Sequence, residues 1–138
     1  MDKDRYTTAL IADSSSTEDS KYGLFDPFVG SWKFDLFWYS TGEERLAGRG
    51  EWHWSWILNG RAVQDVWECY TVAESGRLVE LGTTLRMYDR ARGNWRIVFF
   101  SPVRGFVDTL VADRAGDEIV LQGIGRSGNP CLWIFSDV

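Results

Sequence analysis

The 138-residue chain carries 15 Lys and Arg against 20 Asp and Glu, a formal charge of −5; at this length a single core buries roughly two thirds of the surface that the unfolded chain exposes. The acidic balance, with arginines interleaved among acids, argues against a nucleic-acid surface, which relies on clustered cations that displace counterions. No apolar run nears the roughly 20 residues that span a bilayer, and no basic flank precedes an apolar stretch at the N-terminus, so a soluble, cytoplasmic protein with no membrane partner is expected.

Met1 to about Tyr22 forms a polar leader in which Ser14, Ser15, Ser16 and Thr17 lie among Asp13, Glu18 and Asp19. Such a stretch buries too little apolar area to offset its ordering entropy and is expected to be mobile, with one helical turn over Tyr6–Ala12 as the alternative. Residues 23–138 then read as one domain. Leu24, Phe25, Phe28 and Val29 surround Asp26-Pro27, where the fixed φ of proline suits a turn or 3₁₀ segment plugging one end of the fold.

Two-residue alternation follows. Gly30–Ser40 places Trp32, Phe34, Leu36 and Trp38 on one face; Gly48–Leu58 does the same with Trp52, Trp54 and Trp56, opposite Glu51, His53 and Ser55. Asn59-Gly60 predicts a tight type I′ hairpin into Arg61–Thr71, where Val63, Asp65, Trp67 and Cys69 share a side and Gln64 lies on the other. Val79–Tyr88, Trp95–Phe100, Gly105–Ala112, Glu118–Ile124 and Leu132–Phe135 complete the series, with breaks at Thr41–Glu44, Glu74–Gly76, Arg92–Asn94, Asp113–Asp117 and Gly128–Pro130. Eight strands in simple succession predict an all-β, antiparallel up-and-down barrel, whose interior is filled by side chains or holds one small ligand.

Cys69 and Cys131 are far apart with no CxxC spacing, and His53 is the only histidine. Two reduced thiols are expected, with no metal and no cofactor. Gly125-Arg126-Ser127-Gly128 is too short and isolated for a phosphate cradle, which needs a strand-to-helix setting.

Gly30-Ser31-Trp32 resembles the Gly-x-Trp signature of the calycin superfamily, which includes the lipocalins and fatty-acid-binding proteins. Trp56-Ile57-Leu58-Asn59-Gly60-Arg61-Ala62-Val63-Gln64-Asp65-Val66-Trp67, followed by Thr83-Thr84-Leu85-Arg86-Met87-Tyr88-Asp89, is similar to a largely uncharacterised bacterial lipocalin-like family. The resemblance covers about Phe25 to Val138 and implies a lipocalin-like barrel with an interior ligand. Members of that family continue with a further pair of strands, whereas this chain reaches Ser136-Asp137-Val138 in strand-like sequence. The corresponding expectation is a slightly incomplete barrel, either because the chain is shortened or because the open edge of its last strand pairs with a neighbouring protomer in a homodimer.

Three functional readings follow. In the first, a small hydrophobic or aromatic molecule binds inside, lined by Trp38, Trp54, Trp67, Tyr88 and Phe100, with Gln64 as a polar handle and Arg86 or Arg96 and Asp65 giving orientation. The second is a cyclase- or isomerase-type enzyme in which the cavity orients a substrate and Asp65 or His53 moves a proton. Asp65 shares a face with Val63 and Trp67, so it is either a proton-transfer group or half of a structural pair with Arg86 or Arg96. His53 alternates with Trp52 and Trp54, which turns it outward; only the reverse assignment puts it inside with Ser55. The third reading is a self-associating module.

Overall fold

A computed structural model describes residues 1–16, 23–39, 42, 44–73, 76–125 and 128–138. The expected breaks at Thr41–Glu44 and Glu74–Gly76, the Gly125–Gly128 loop and the last part of the leader lie wholly or partly outside these residues.

The chain begins with a helix, α1 (Lys3–Leu10), capped by the Asp2 side chain accepting from Arg5 N, and runs into a two-residue strand, β1 (Ile11–Ala12). The leader therefore has more structure than its composition predicts. Its order comes from pairing, since Ile11 and Ala12 are in register with Ile57 and Trp56, and α1 itself buries no residue.

Eight strands follow: β2 (Gly30–Tyr39), β3 (Arg45–Ile57), β4 (Ala62–Thr71), β5 (Leu78–Asp89), β6 (Asn94–Ser101), β7 (Phe106–Ala115), β8 (Glu118–Ile124) and β9 (Pro130–Phe135). Each pairs antiparallel with the next, and β1 and β2 share one edge of β3. The result is a single antiparallel sheet in meander order. Among the described residues, β9 and β2 are not hydrogen-bonded to each other, so the sheet is curled but not closed. Side chains bridge the gap from β9: the Phe135 ring lies 5.2 Å from Phe28, in the turn ahead of β2, and 6.1 Å from Trp52 and 6.3 Å from Trp54 on β3.

Alternation decides which face is concave. In β6, Trp95, Ile97, Phe99 and Ser101 are buried while Arg96, Val98 and Phe100 are exposed, the period of two that a sheet with one covered face requires. A β-bulge between Cys69 and Tyr70 bends β4. Gly50 lets β3 and β4 approach under an aromatic ring, since a Cβ there would meet Glu68 O at 1.7 Å and the Phe34 ring at 2.8 Å. The β3–β4 connection is wider than the expected two-residue turn. Ile57 pairs with Ala62, leaving four residues between, and Leu58, Asn59 and Gly60 all have positive φ (53°, 59° and 77°). Leu58 tolerates this sterically unfavourable region because its amide donates to Leu10 O at 2.8 Å, which ties the loop to the end of α1.

Ahead of β2, a 3₁₀ turn (Asp26–Phe28) inserts Phe25, which is fully buried, edge-on to Trp95 at 5.1 Å and stacked on Trp54 at 6.2 Å. Trp56 Nε1 donates to Asp26 Oδ1 at 2.9 Å, and Trp32 Nε1 donates to Phe28 O at 2.6 Å, so two indoles hold the turn against the sheet. No helix among the described residues is long and apolar enough to cross a membrane.

Candidate functional site

The concave face encloses a cavity of about 590 Å³, within the roughly 300–1,000 Å³ of small-molecule sites. Phe34 and Leu36 from β2, Trp52 from β3, Trp67 from β4, Phe99 from β6, Phe106 from β7, and Trp133 and Phe135 from β9 form its apolar wall. The rings pack obliquely: Phe99 is 6.1 Å from Trp67, 5.8 Å from Phe106 and 5.6 Å from Trp133. Offset and edge-on contacts of this kind suit the ring quadrupoles better than face-to-face stacking. Gly82 makes room for Phe99, since a Cβ there would lie 2.8 Å from the ring.

Asp35, paired with Arg49 at 3.0 Å, lies at the exposed edge of this wall, and buried polar groups stand in or behind it at three places. In the first, Arg86 Nη1 lies 2.7 Å from Asp65 Oδ2, with the two side chains 1 % and 0 % exposed. Thr84 N donates to Asp65 Oδ1 at 3.1 Å. The Arg86 guanidinium sits 4.0 Å above the Trp54 ring and 5.1 Å from Phe25, which replaces lost hydration with cation–π attraction. Burial pushes the Arg86 guanidinium below its usual pKa, while the charge of Asp65 and its hydrogen bond act in the opposite direction. Arg86 Nε has no hydrogen-bond partner, and the Trp52 and Trp54 indole nitrogens are likewise buried without one.

The second place is Glu80, fully buried and fully engaged. It accepts from Ser101 Oγ at 2.6 Å, Leu81 N at 3.1 Å and Arg104 Nε at 2.7 Å, and Arg104 Nη2 closes the ion pair. Arg104 also lies 4.8 Å over the Phe106 ring at the cavity wall.

The third is Asp108, only 6 % exposed and facing Phe99 across the β6–β7 ladder. Its Oδ1 has no hydrogen-bond partner. Burial raises its carboxyl pKa, and the charge of Arg104 offsets part of that rise. Beside it, burial pushes the Cys131 thiol up, helped by the Asp108 charge.

Several residues expected from sequence to line the site are elsewhere. Trp67 and Arg86 line the cavity. Trp54 and Tyr88 face inward but serve packing: Trp54 is stacked on Phe28 at 5.0 Å, and Tyr88 is edge-on to Trp95 at 6.0 Å. Trp38 also faces inward, beside Gly48, and is not part of the cavity lining. Gln64, Arg96 and Phe100 are corrections, because strand parity carries all three to the convex face. Gln64 Nε2 there donates to Thr83 Oγ1 at 2.8 Å, Arg96 lies 3.9 Å from Asp89, and Phe100 is 50 % exposed. Asp65 pairs with Arg86 and not with Arg96 for the same reason.

His53 lies on the convex face. Its Nδ1 is 2.8 Å from Ser31 Oγ and its Nε2 is 3.4 Å from Glu51 Oε2. The trio follows from cross-strand register, in which Ser31 faces His53 and Lys33 faces Glu51. Half-exposed on an open sheet surface, it does not contribute to the cavity. Among the described residues no three metal-ligating side chains come together.

Comparison with known proteins yields no matching family model, no matching curated protein and no matching solved structure. The functional reading therefore rests on the site alone.

Glu80, Arg104, Asp108, Phe99, Phe106 and Trp133 are absent from the sequence expectation. For Asp108 a signal was present: in Phe106-Val107-Asp108-Thr109-Leu110 it falls on the same alternate positions as Phe106 and Leu110. Glu80 had none, since Val79 and Leu81 flank it equally.

Proposed function

We propose that the chain binds a small, flat, largely apolar molecule in the hollow of its curled sheet, in the manner of the calycin-like barrels that its sequence resembles. The observation that carries this reading is the cavity of about 590 Å³ walled by aromatic side chains from β2, β3, β4, β6, β7 and β9, with a small number of buried polar groups among them. Aromatic walls release water from both surfaces on binding and fix the plane of a flat guest, while the polar groups set its orientation.

The catalytic alternative has less support. Asp65 is already engaged by Arg86 and Thr84, and His53 lies outside the cavity, so neither is free to exchange a proton with a bound substrate. Self-association is a second reading: among the described residues β9 has no hydrogen-bonded neighbour beyond β8, and its outward Leu132 and Ile134 are 59 % and 48 % exposed. Light scattering tests it, a strictly monomeric mass removing that reading.

Because Trp52, Trp67 and Trp133 line the cavity, their fluorescence reports binding directly. Titration with a panel of two- and three-ring aromatic compounds is expected to give saturable quenching, weakened at least fivefold by Trp67→Ala. Quenching that stays linear with concentration for every compound overturns the proposal.

A further inference from the structure

Among the described residues, the charged side chains of the cavity wall are paired but for one. Arg86 is matched by Asp65, Arg104 by Glu80 and Asp35 by Arg49, each across a direct ion contact. Asp108 is the carboxylate left over: more than nine-tenths buried, in the cavity wall, and with an oxygen that no donor reaches. A buried carboxylate without a donor is costly, and native interiors almost always supply one. The groups beside it do not. Arg104, whose charge acts on Asp108, turns Nε and Nη2 to Glu80 and makes no hydrogen bond to Asp108 Oδ1, and the Cys131 thiol is at best a weak donor.

The surroundings of Asp108 point to what can. Phe99 faces it across the ladder, Phe106 precedes it by two residues on the same strand face, and the Trp133 ring closes on Phe99 at 5.6 Å. Gly125 borders the free oxygen: a Cβ there would lie 3.4 Å from Asp108 Oδ1, so the absence of a side chain preserves the space beside it. Aromatic faces beside a carboxylate attract a positive charge twice over, through the ring quadrupoles and through Coulomb attraction, and both strengthen where water is excluded.

We infer that the ligand is an organic cation, an aromatic or alkyl-aromatic amine whose protonated nitrogen donates to Asp108 Oδ1 while its apolar body lies among Phe99, Phe106 and Trp133. The inference rests on the cavity being a binding site and adds the charge of its guest. An acidic ligand fits poorly, since among the described residues the unmatched charge in the wall is negative. A neutral hydrocarbon leaves the orphaned oxygen as it is.

Three compounds of nearly one shape separate the possibilities: 2-naphthylmethylammonium, neutral 2-ethylnaphthalene and anionic 2-naphthylacetate, each titrated against the intact chain by tryptophan fluorescence. The expected order is ammonium tightest, by at least tenfold over the neutral compound, with the acid weakest. Asp108→Asn is expected to bring the ammonium affinity down to that of 2-ethylnaphthalene and to leave 2-ethylnaphthalene within twofold. Equal binding of the ammonium and neutral compounds, preference for the acid, or an ammonium preference that survives in Asp108→Asn overturns this inference and leaves the cavity reading standing. Saturation by none of the three removes both. The order in the unmodified chain decides the matter by itself if Asp108→Asn does not fold.

Discussion

Asp65 and Asp108 sit on the same concave face, both buried, and the fold treats them in opposite ways. Asp65 on β4 faces Thr84 across the ladder, and its carboxylate spans the Thr84 amide and the Arg86 guanidinium, itself laid over Trp54 and Phe25. Asp108 on β7 faces Phe99, whose side chain offers it no donor. What separates them is what each carboxylate meets: Asp65 takes the Thr84 amide and the guanidinium of Arg86, which sits diagonally across the ladder, whereas Asp108 meets rings. The engaged acid belongs to the architecture and the orphaned one to the cavity, a division that substitution can break.

The largest effect is expected at Asp65. Asp65→Asn leaves Arg86 buried at 1 % exposure with its counter-charge gone, and uncompensated buried charges cost about 3–5 kcal/mol. Denaturant unfolding should show that loss with an unchanged slope. A loss under about 1 kcal/mol would mean that the rings over the guanidinium, and not Asp65, hold it. Next comes Glu80→Gln, which replaces the carboxylate that accepts from Arg104 by a neutral amide of the same shape; about 1.5–3 kcal/mol is expected, measured in the same way.

How far this contrast was legible in the sequence depends on alternation. Where polar and apolar residues take strict turns, as in Trp52-His53-Trp54 or Val63-Gln64-Asp65, the face of each residue could be read, and the outward His53 and inward Asp65 follow. The order of the strands was legible too, because turn residues punctuate them at short intervals. Runs such as Val98-Phe99-Phe100 hide the face, since every residue is apolar. Phe100 accordingly looked like lining and is exposed, while Phe99 is the ring on which three others pack. Pairings across strands were less legible still. That Arg104, in the β6–β7 turn, reaches back to Glu80 depends on the curl of the sheet, a property of all the strands together. Closure was beyond the local pattern for the same reason: no single strand encodes whether β9 meets β2.

At Asp108 the effect on stability is smaller and opposite in sign. Its folded pKa is raised by burial, so the protonated form is favoured in the fold. Its contribution to stability is fully present below the unfolded carboxyl pKa and is lost as pH rises through the folded value. Asp108→Asn, which carries no charge at any pH, is therefore expected to match the unmodified chain near pH 4 and to exceed it by up to about 1 kcal/mol at pH 7.5. Unfolding midpoints at the two pH values measure the gap. A gap that widens toward low pH would show that the carboxylate is stabilised in the fold, as Asp65 is.

The smallest effect is expected on the convex face. His53 is half-exposed between Ser31 and Glu51, and surface groups of this kind contribute within about 0.5 kcal/mol. His53→Ala should leave both the unfolding midpoint and any aromatic-ligand affinity where they were. The physical reason is distance through the sheet: the imidazole and the cavity lie on opposite sides of β3, with Trp52 and Trp54 pointing the other way. A change in ligand affinity in His53→Ala, measured by the same fluorescence titration, would mean that β3 transmits strain from one face to the other, and the separation of an architectural outside from a binding inside would fail.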